Sequence, residues 1–382
     1  MATDNYSQFD EIRPFNPSEL PAVYDRLLAS EQFRKVLTYL YPGVDMQTIA
    51  GMMHRCRTNL EFQKALCYPF LEQLLAKASH GCDMDASAID SSKRYTFVSN
   101  HRDIVLDSAL LDKMLIDNGF TTTCEIAIGD NLLSLPWVRD LVRVNKSFIV
   151  ERSLQPRQML MASKRLSEYM HLVISDKNDN IWIAQREGRA KDSDDRTQPS
   201  VLKMMAMGGD RNPIESLKQM HIVPLAISYE YDPCDYLKAR EFQLKRDVEG
   251  WKKSPQDDVE SMRVGIMGFK GRIHYHCAPC VDDWLESIGS TLPKTELFNA
   301  LAEEIDKRIF SSYRLYANNY VAAHKLGDTD YSDKFTKEEE ETFMRYIDGQ
   351  LTKIDIPDKD EEYLRERLLV MYANPLFNSL KG

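Results

Sequence analysis

The stretch FVSNHRDIVLD, residues 97–107, gathers Asn100, His101, Arg102, Asp103 and Asp107 between two apolar runs. A neutral imidazole can take a proton from a hydroxyl near neutral pH. An adjacent carboxylate can fix its tautomer and stabilise the imidazolium that forms. His101 is therefore the candidate base, and Asp107 or Asp103 its orienting acid. The same residue types favour helix starts, so a capping turn is the plain alternative.

Three further polar clusters follow apolar runs. In VNKSFIVERS, residues 144–153, Lys146 precedes a strand and Glu151, Arg152 and Ser153 close it. In IWIAQREGRAKDSDDRTQPSVLKM, residues 181–204, a strand runs into Arg186, Glu187, Gly188, Arg189 and Lys191. Gly188 permits a sharp turn or close ligand approach, and the cations offer charge-assisted bonds to phosphate. HIVPLAISYEYD closes a buried strand at Tyr229 and Glu230. HYHCAPC groups His274, His276, Cys277 and Cys280, but the two histidines alternate as on a strand and no second ligand pair follows at zinc-finger spacing. No metal site is predicted there.

The elements that must hold these clusters alternate. RYTFVSN, TCEIAIG, SFIVER, NIWIAQR, IVPLAISYE and RIHYHCAP read as strands, with helical periodicity between them, as in QMLMASKRLSEYMHLVI over 158–174. This predicts an α/β core over 94–289. In such sheets ligands gather where strands end and helices begin. Residues 1–93 are expected to be helical, with Ser18 as an N-cap and 81–93 as a linker. Residues 235–262 read as a solvated helical excursion, and 290–382 as a C-terminal helical region.

The 382 residues are 43% hydrophobic and 28% charged, an ordinary globular balance, and the net charge of −10 argues against general nucleic-acid binding. No apolar run reaches the ~18 residues of a membrane span, and the acidic N-terminus lacks a signal-peptide core. A cytoplasmic location is expected. Seven irregularly spaced cysteines suit reduced thiols.

The four clusters, in this order, resemble the motif blocks of the glycerolipid acyltransferase superfamily. NHRDIVLD is similar to its His/Asp block, KSFIVERS to its second block, REGRAK to its Glu-Gly-x-Arg block and IVPLAISYE to its proline-bearing strand. FKGRIHYHCAP is similar to the strand that closes these domains. Two positions depart: Leu106 stands where the family's aspartate is expected, with Asp107 one residue later, and Arg189 comes one position early.

The resemblance implies a mixed sheet flanked by helices and direct O-acyl transfer with His101 as base and Asp107 or Asp103 in support, without cofactor or metal. The donor would be acyl-coenzyme A or acyl-acyl carrier protein. The acceptor would be glycerol 3-phosphate, a lysophospholipid such as lysophosphatidate, or a related lyso-lipid with an amino-acid head group. Asn100, Arg102, Lys146, Arg152, Glu187, Gly188, Arg189 and Lys191 are the expected substrate-binding residues. Peripheral contact with the inner face of the membrane would follow, with Leu37, Leu40, Tyr41, Phe70, Leu71, Leu74 and Leu75 as candidates. The rival expectation is a catalytically inactive lipid or acyl-carrier binding module on the same fold.

Overall fold

The computed structural model describes residues 6–152, 154–288, 292–328 and 330–382. Seven strands form one sheet: β1 (Cys82–Asp85), β2 (Thr96–Ser99), β3 (Cys124–Gly129), β4 (Ser147–Val150), β5 (Asn180–Ala184), β6 (Ile222–Tyr229) and β7 (Ile273–Cys277). Their order is β1-β7-β6-β2-β5-β3-β4, and only the β6–β7 pair is antiparallel. The fold is thus a mixed sheet covered by helices, as the strand pattern and the resemblance implied.

Strand alternation divides the core between the two faces. Phe97, Trp182, Leu225 and Tyr275 face the helix Leu106–Asp117. Val98, Ile181, Ile183 and Ile222 face the helices Pro156–Ser175 and Lys294–Ser311. Parallel strands need long crossovers, and each is a helix or helix pair that covers one of these faces. The five strands β2 to β6 therefore end along one edge of the sheet.

Four sequence expectations change here. Residues 82–85, expected within a linker, form β1. Its polar letters suit an edge strand, where Asp83 meets His274 at 3.0 Å and Arg314 at 2.8 Å. Ser18 is not the helix cap: the first long helix starts at Leu20, and Glu19 accepts the Asn16 N–H at 2.6 Å.

The sheet core extends past both expected boundaries, 94 and 289, because Leu297, Leu301 and Ile305 cover a face that would otherwise meet water. The expected boundary at 289 and 290 lies outside the described residues. Finally, the helix Asp235–Asp247 is not solvated, since Asp235, Lys238 and Glu241 are buried on it. Its charges face partners rather than water.

Two helical groups flank the sheet. Helices Leu20–Ala29, Glu31–Leu40 and Met46–Arg55 share a core with Trp137 and Leu141. Leu37 is buried in this packing, and Leu71 and Leu74 are buried in the sheet core beside the helix Leu106–Asp117, so these membrane candidates serve the core. Helices Ala317–Lys325, Lys337–Thr352 and Glu361–Ser379 form a second core against Ala239. Among the described residues no helix is long and apolar enough to cross a membrane. All seven cysteines are free thiols.

Candidate active site

The turn after β2 carries His101 and is built by backbone bonds to two aspartates. Asp103 Oδ1 accepts the N–H groups of Val105 and Leu106, both at 2.8 Å, and so caps the helix that starts at Leu106. The non-helical turn over 103–105 absorbs the extra residue that separates His101 from Asp107. Asp107 then falls in the first helical turn, and its Oδ2 meets His101 Nδ1 at 2.8 Å. The same oxygen accepts the N–H of Arg102 at 2.6 Å and of Asp103 at 3.0 Å. Of the two candidate acids, Asp107 touches the imidazole and Asp103 does not.

An acceptor-only carboxylate on Nδ1 holds the ring's proton there and leaves Nε2 with its lone pair. The Asp107 side chain is fully buried, whereas His101 keeps 15% of its side-chain exposure. The Trp182 ring stands edge-on against the imidazole, 5.5 Å between centroids. Its Nε1–H donates to Ser99 Oγ at 3.0 Å, which fixes the indole against the imidazole. Trp182 was absent from the sequence-based candidates; only its register opposite Phe97 pointed to it.

Several expected substrate-binding residues hold the scaffold instead. Asn100 is buried with both ends of its amide on the Ile227 backbone, at 2.9 and 2.8 Å, and locks β2 to β6. Arg102 is buried in a two-point pair with Asp195, at 2.9 and 2.6 Å, and Tyr313 also donates to Asp195. Lys146 lies ahead of β4, at the opposite edge of the sheet, bonded to Asp179 at 2.8 Å and Thr122 at 3.0 Å. Lys191 pairs with Glu241, and burial pulls its ammonium down to about 8. Each of these polar groups is taken by a partner within the fold, which sequence spacing does not reveal.

The residues left at the strand ends are Arg152, Arg186, Glu187, Gly188 and Arg189; Ser153 lies outside the described residues. The Arg152 guanidinium lies over Gly129, where a β-carbon would come within 2.8 Å of it, and it stands 3.9 Å from Glu187. Gly188 has φ of +70°, so the turn after β5 uses the left-handed backbone that glycine adopts freely. Arg186 Nε and Arg189 Nη1 are both buried without a hydrogen-bond partner. Arg186 was read only as part of the basic run.

β2 and β5 are neighbours in register, Ser99 against Ala184, so His101 and Arg186 leave adjacent strand ends. A cleft of ≈ 250 Å³ opens at the ends of β4 and β5, lined by Arg152, Arg186 and Glu187 and by Ile149, Leu166, Ile183, Val201 and Met204; His101 is not among its lining residues.

The turn is also braced from the C-terminal helices. Lys238 donates to the Arg102 carbonyl at 3.1 Å and pairs with Asp232. On the same helix Asp235 accepts from Tyr346 at 2.8 Å, Tyr372 at 2.7 Å and Gln350 at 2.6 Å. Burial pushes Asp235 up to about 7. Asp103 is pushed up by burial and by the neighbouring Asp107 charge. Gly265 packs on Asp103 so closely that a β-carbon would come within 1.9 Å of its Oδ2.

Residues 83–228 match the family model described as Acyltransferase. The chain thus carries a domain that matches the acyltransferase family, in line with the resemblance of the four motif blocks. No curated protein matches the chain. The crystal structure of the 1-acyl-sn-glycerophosphate (LPA) acyltransferase PlsC from Thermotoga maritima is similar at 12% identity and a TM-score of 0.40, over 78% of this chain and 98% of that one. That likeness is too distant to assign any residue a role.

Proposed function

We propose that this protein transfers a fatty acyl chain from an acyl thioester, coenzyme A- or carrier protein-bound, to a hydroxyl of a phosphate-bearing lyso-lipid. His101 Nε2 removes the hydroxyl proton, and the oxygen attacks the thioester carbonyl. The tetrahedral intermediate collapses as the C–S bond breaks, and the thiol leaves with the proton His101 had taken. Asp107 stabilises the imidazolium and keeps the tautomer that presents Nε2. The observation that carries this reading is the 2.8 Å contact between His101 and the buried Asp107 at the edge where the parallel strands end.

Arg186 and Arg152 supply the cations for the acceptor phosphate, with Arg189 the third candidate. The apolar wall of the cleft suits an acyl chain, since each buried methylene contributes about 0.8 kcal/mol. The lyso-lipid would be drawn from a membrane surface by peripheral contact. Thioester consumption by wild-type protein and His101→Ala, against a panel of lyso-lipid acceptors, tests the proposal. Acceptor-dependent turnover lost in the variant is expected. A folded wild-type protein that binds these lipids and turns over none of them would instead be a binding module on the same fold.

A further inference from the structure

The opposite edge of the sheet carries a second group of ligating side chains. His221 stands at the turn into β6, and Cys280 and Asp282 at the turn between β7 and the helix Asp282–Ile288. One ligand atom from each lies within 4.8 Å of the other two, the only such trio of His, Cys, Asp or Glu among the described residues.

Both turns are held in place by bonds independent of these side chains. The Val281 N–H donates to the Ile222 carbonyl at 2.9 Å, and the Thr96 N–H to the His221 carbonyl at 3.2 Å. Arg308 donates to the carbonyls of Pro279 and Cys280, at 2.9 and 3.1 Å. The trio therefore does not depend on mobile chain.

Two features mark the trio. His221 is held at φ of +45°, in the left-handed backbone region that favours glycine and asparagine. Asp282 meets His221 Nδ1 at 2.7 Å through Oδ2, but its Oδ1 is buried with no hydrogen-bond partner.

We infer that His221, Cys280 and Asp282 form a binding site for a zinc-class divalent cation. One imidazole nitrogen, one thiolate and one carboxylate oxygen suit Zn²⁺, whereas Mg²⁺ and Ca²⁺ take oxygen ligands. Bonds of about 2.0–2.3 Å to a tetrahedral ion place its ligand atoms roughly 3–4 Å apart, within the spread seen here. Cys280 binds as the thiolate and its proton passes to solvent. His221 remains half-exposed, which leaves water for the fourth position. Such an ion would clip the start of β6 to the turn after β7, a structural role that does not depend on the acyl transfer proposed above.

The test is titration of the full chain with zinc alone, and with cobalt(II) as a spectroscopic probe. One ion per chain and a thiolate-to-cobalt charge-transfer band are expected. Cys280→Ser should abolish the band. His221→Asn, which suits the left-handed backbone, and Asp282→Asn should each weaken binding by about tenfold or more. Circular dichroism of the variants checks that they fold. A folded wild-type chain that binds no zinc, or binding that survives Cys280→Ser and His221→Asn, overturns the inference.

Discussion

Two histidine–aspartate pairs stand at opposite edges of the sheet, and their distances barely differ: 2.8 Å for His101–Asp107 and 2.7 Å for His221–Asp282. Their surroundings differ completely. Asp107 is fully buried, and the oxygen that meets His101 also accepts two backbone N–H groups. Asp282 keeps 25% of its side-chain exposure, and its partner histidine 49%. At the first edge five parallel strands end and a cleft opens between cations; at the second the strands begin. A pairing distance alone does not mark a base. The proposal that His101 is a base rests instead on its buried, backbone-anchored carboxylate, because low solvent access strengthens the hold on one tautomer.

The comparison can be broken most directly at the two aspartates. Asp107→Asn should lower turnover by on the order of 10²–10⁴-fold, since an amide in that place favours the wrong tautomer, while Asp282→Asn should leave turnover unchanged. Steady-state kinetics of the two variants decide this, and equal losses would erase the distinction between the edges. A second experiment separates binding from scaffold. Asp195→Ala leaves Arg102 buried and unpaired and should cost about 3–5 kcal/mol in denaturant unfolding. If Arg102 instead binds substrate, Asp195→Ala should raise KM with little loss of stability.

Acid titration sharpens the role of the bracing beneath the site. Burial raises Asp112 and Asp235 to about 7 and Asp306 to about 6, against 3.8 for the free side chain. The folded chain then holds more protons than the unfolded one between about pH 4 and 7, so stability should fall as pH rises through that window. Thermal melts from pH 5 to 8 should show the decline, and Asp235→Asn should flatten it.

Lys238→Met removes the donor on the Arg102 carbonyl and should lower kcat about tenfold with KM unchanged, the scale of one hydrogen bond of ~1.4 kcal/mol. A matching rise in KM would place Lys238 at the substrate instead. The smallest effect on catalysis is expected at the far edge. Lys146→Met should leave turnover unaltered and cost about 1–3 kcal/mol of stability through the loss of Asp179 and Thr122. Loss of activity there would return Lys146 to the binding site.

The amino-acid order carried the local facts. Apolar runs of strand length marked β2 to β7, polar clusters at their ends marked one edge of the sheet, and the types at 101–107 marked a histidine paired with a carboxylate. Those signals are local because strand alternation and turn chemistry act over a few residues. β1 escaped because an edge strand can be polar when partners such as Arg314 and His274 neutralise it. Whether Asp103 or Asp107 reaches the imidazole was also undetermined, since it turns on where one helix begins.

Only the tertiary structure decided which charges are free. Asn100, Arg102, Lys146 and Lys191 look like ligand contacts in a linear reading. Their partners Ile227, Asp195, Asp179 and Glu241 lie 33 to 127 positions away. Arg186, which lines the cleft and keeps a buried nitrogen without a partner, carries no stronger mark in the sequence than they do. A charge placed at a strand end shows that something must neutralise it. Whether a ligand or another part of the chain does so depends on long-range packing, which residue type and spacing do not encode.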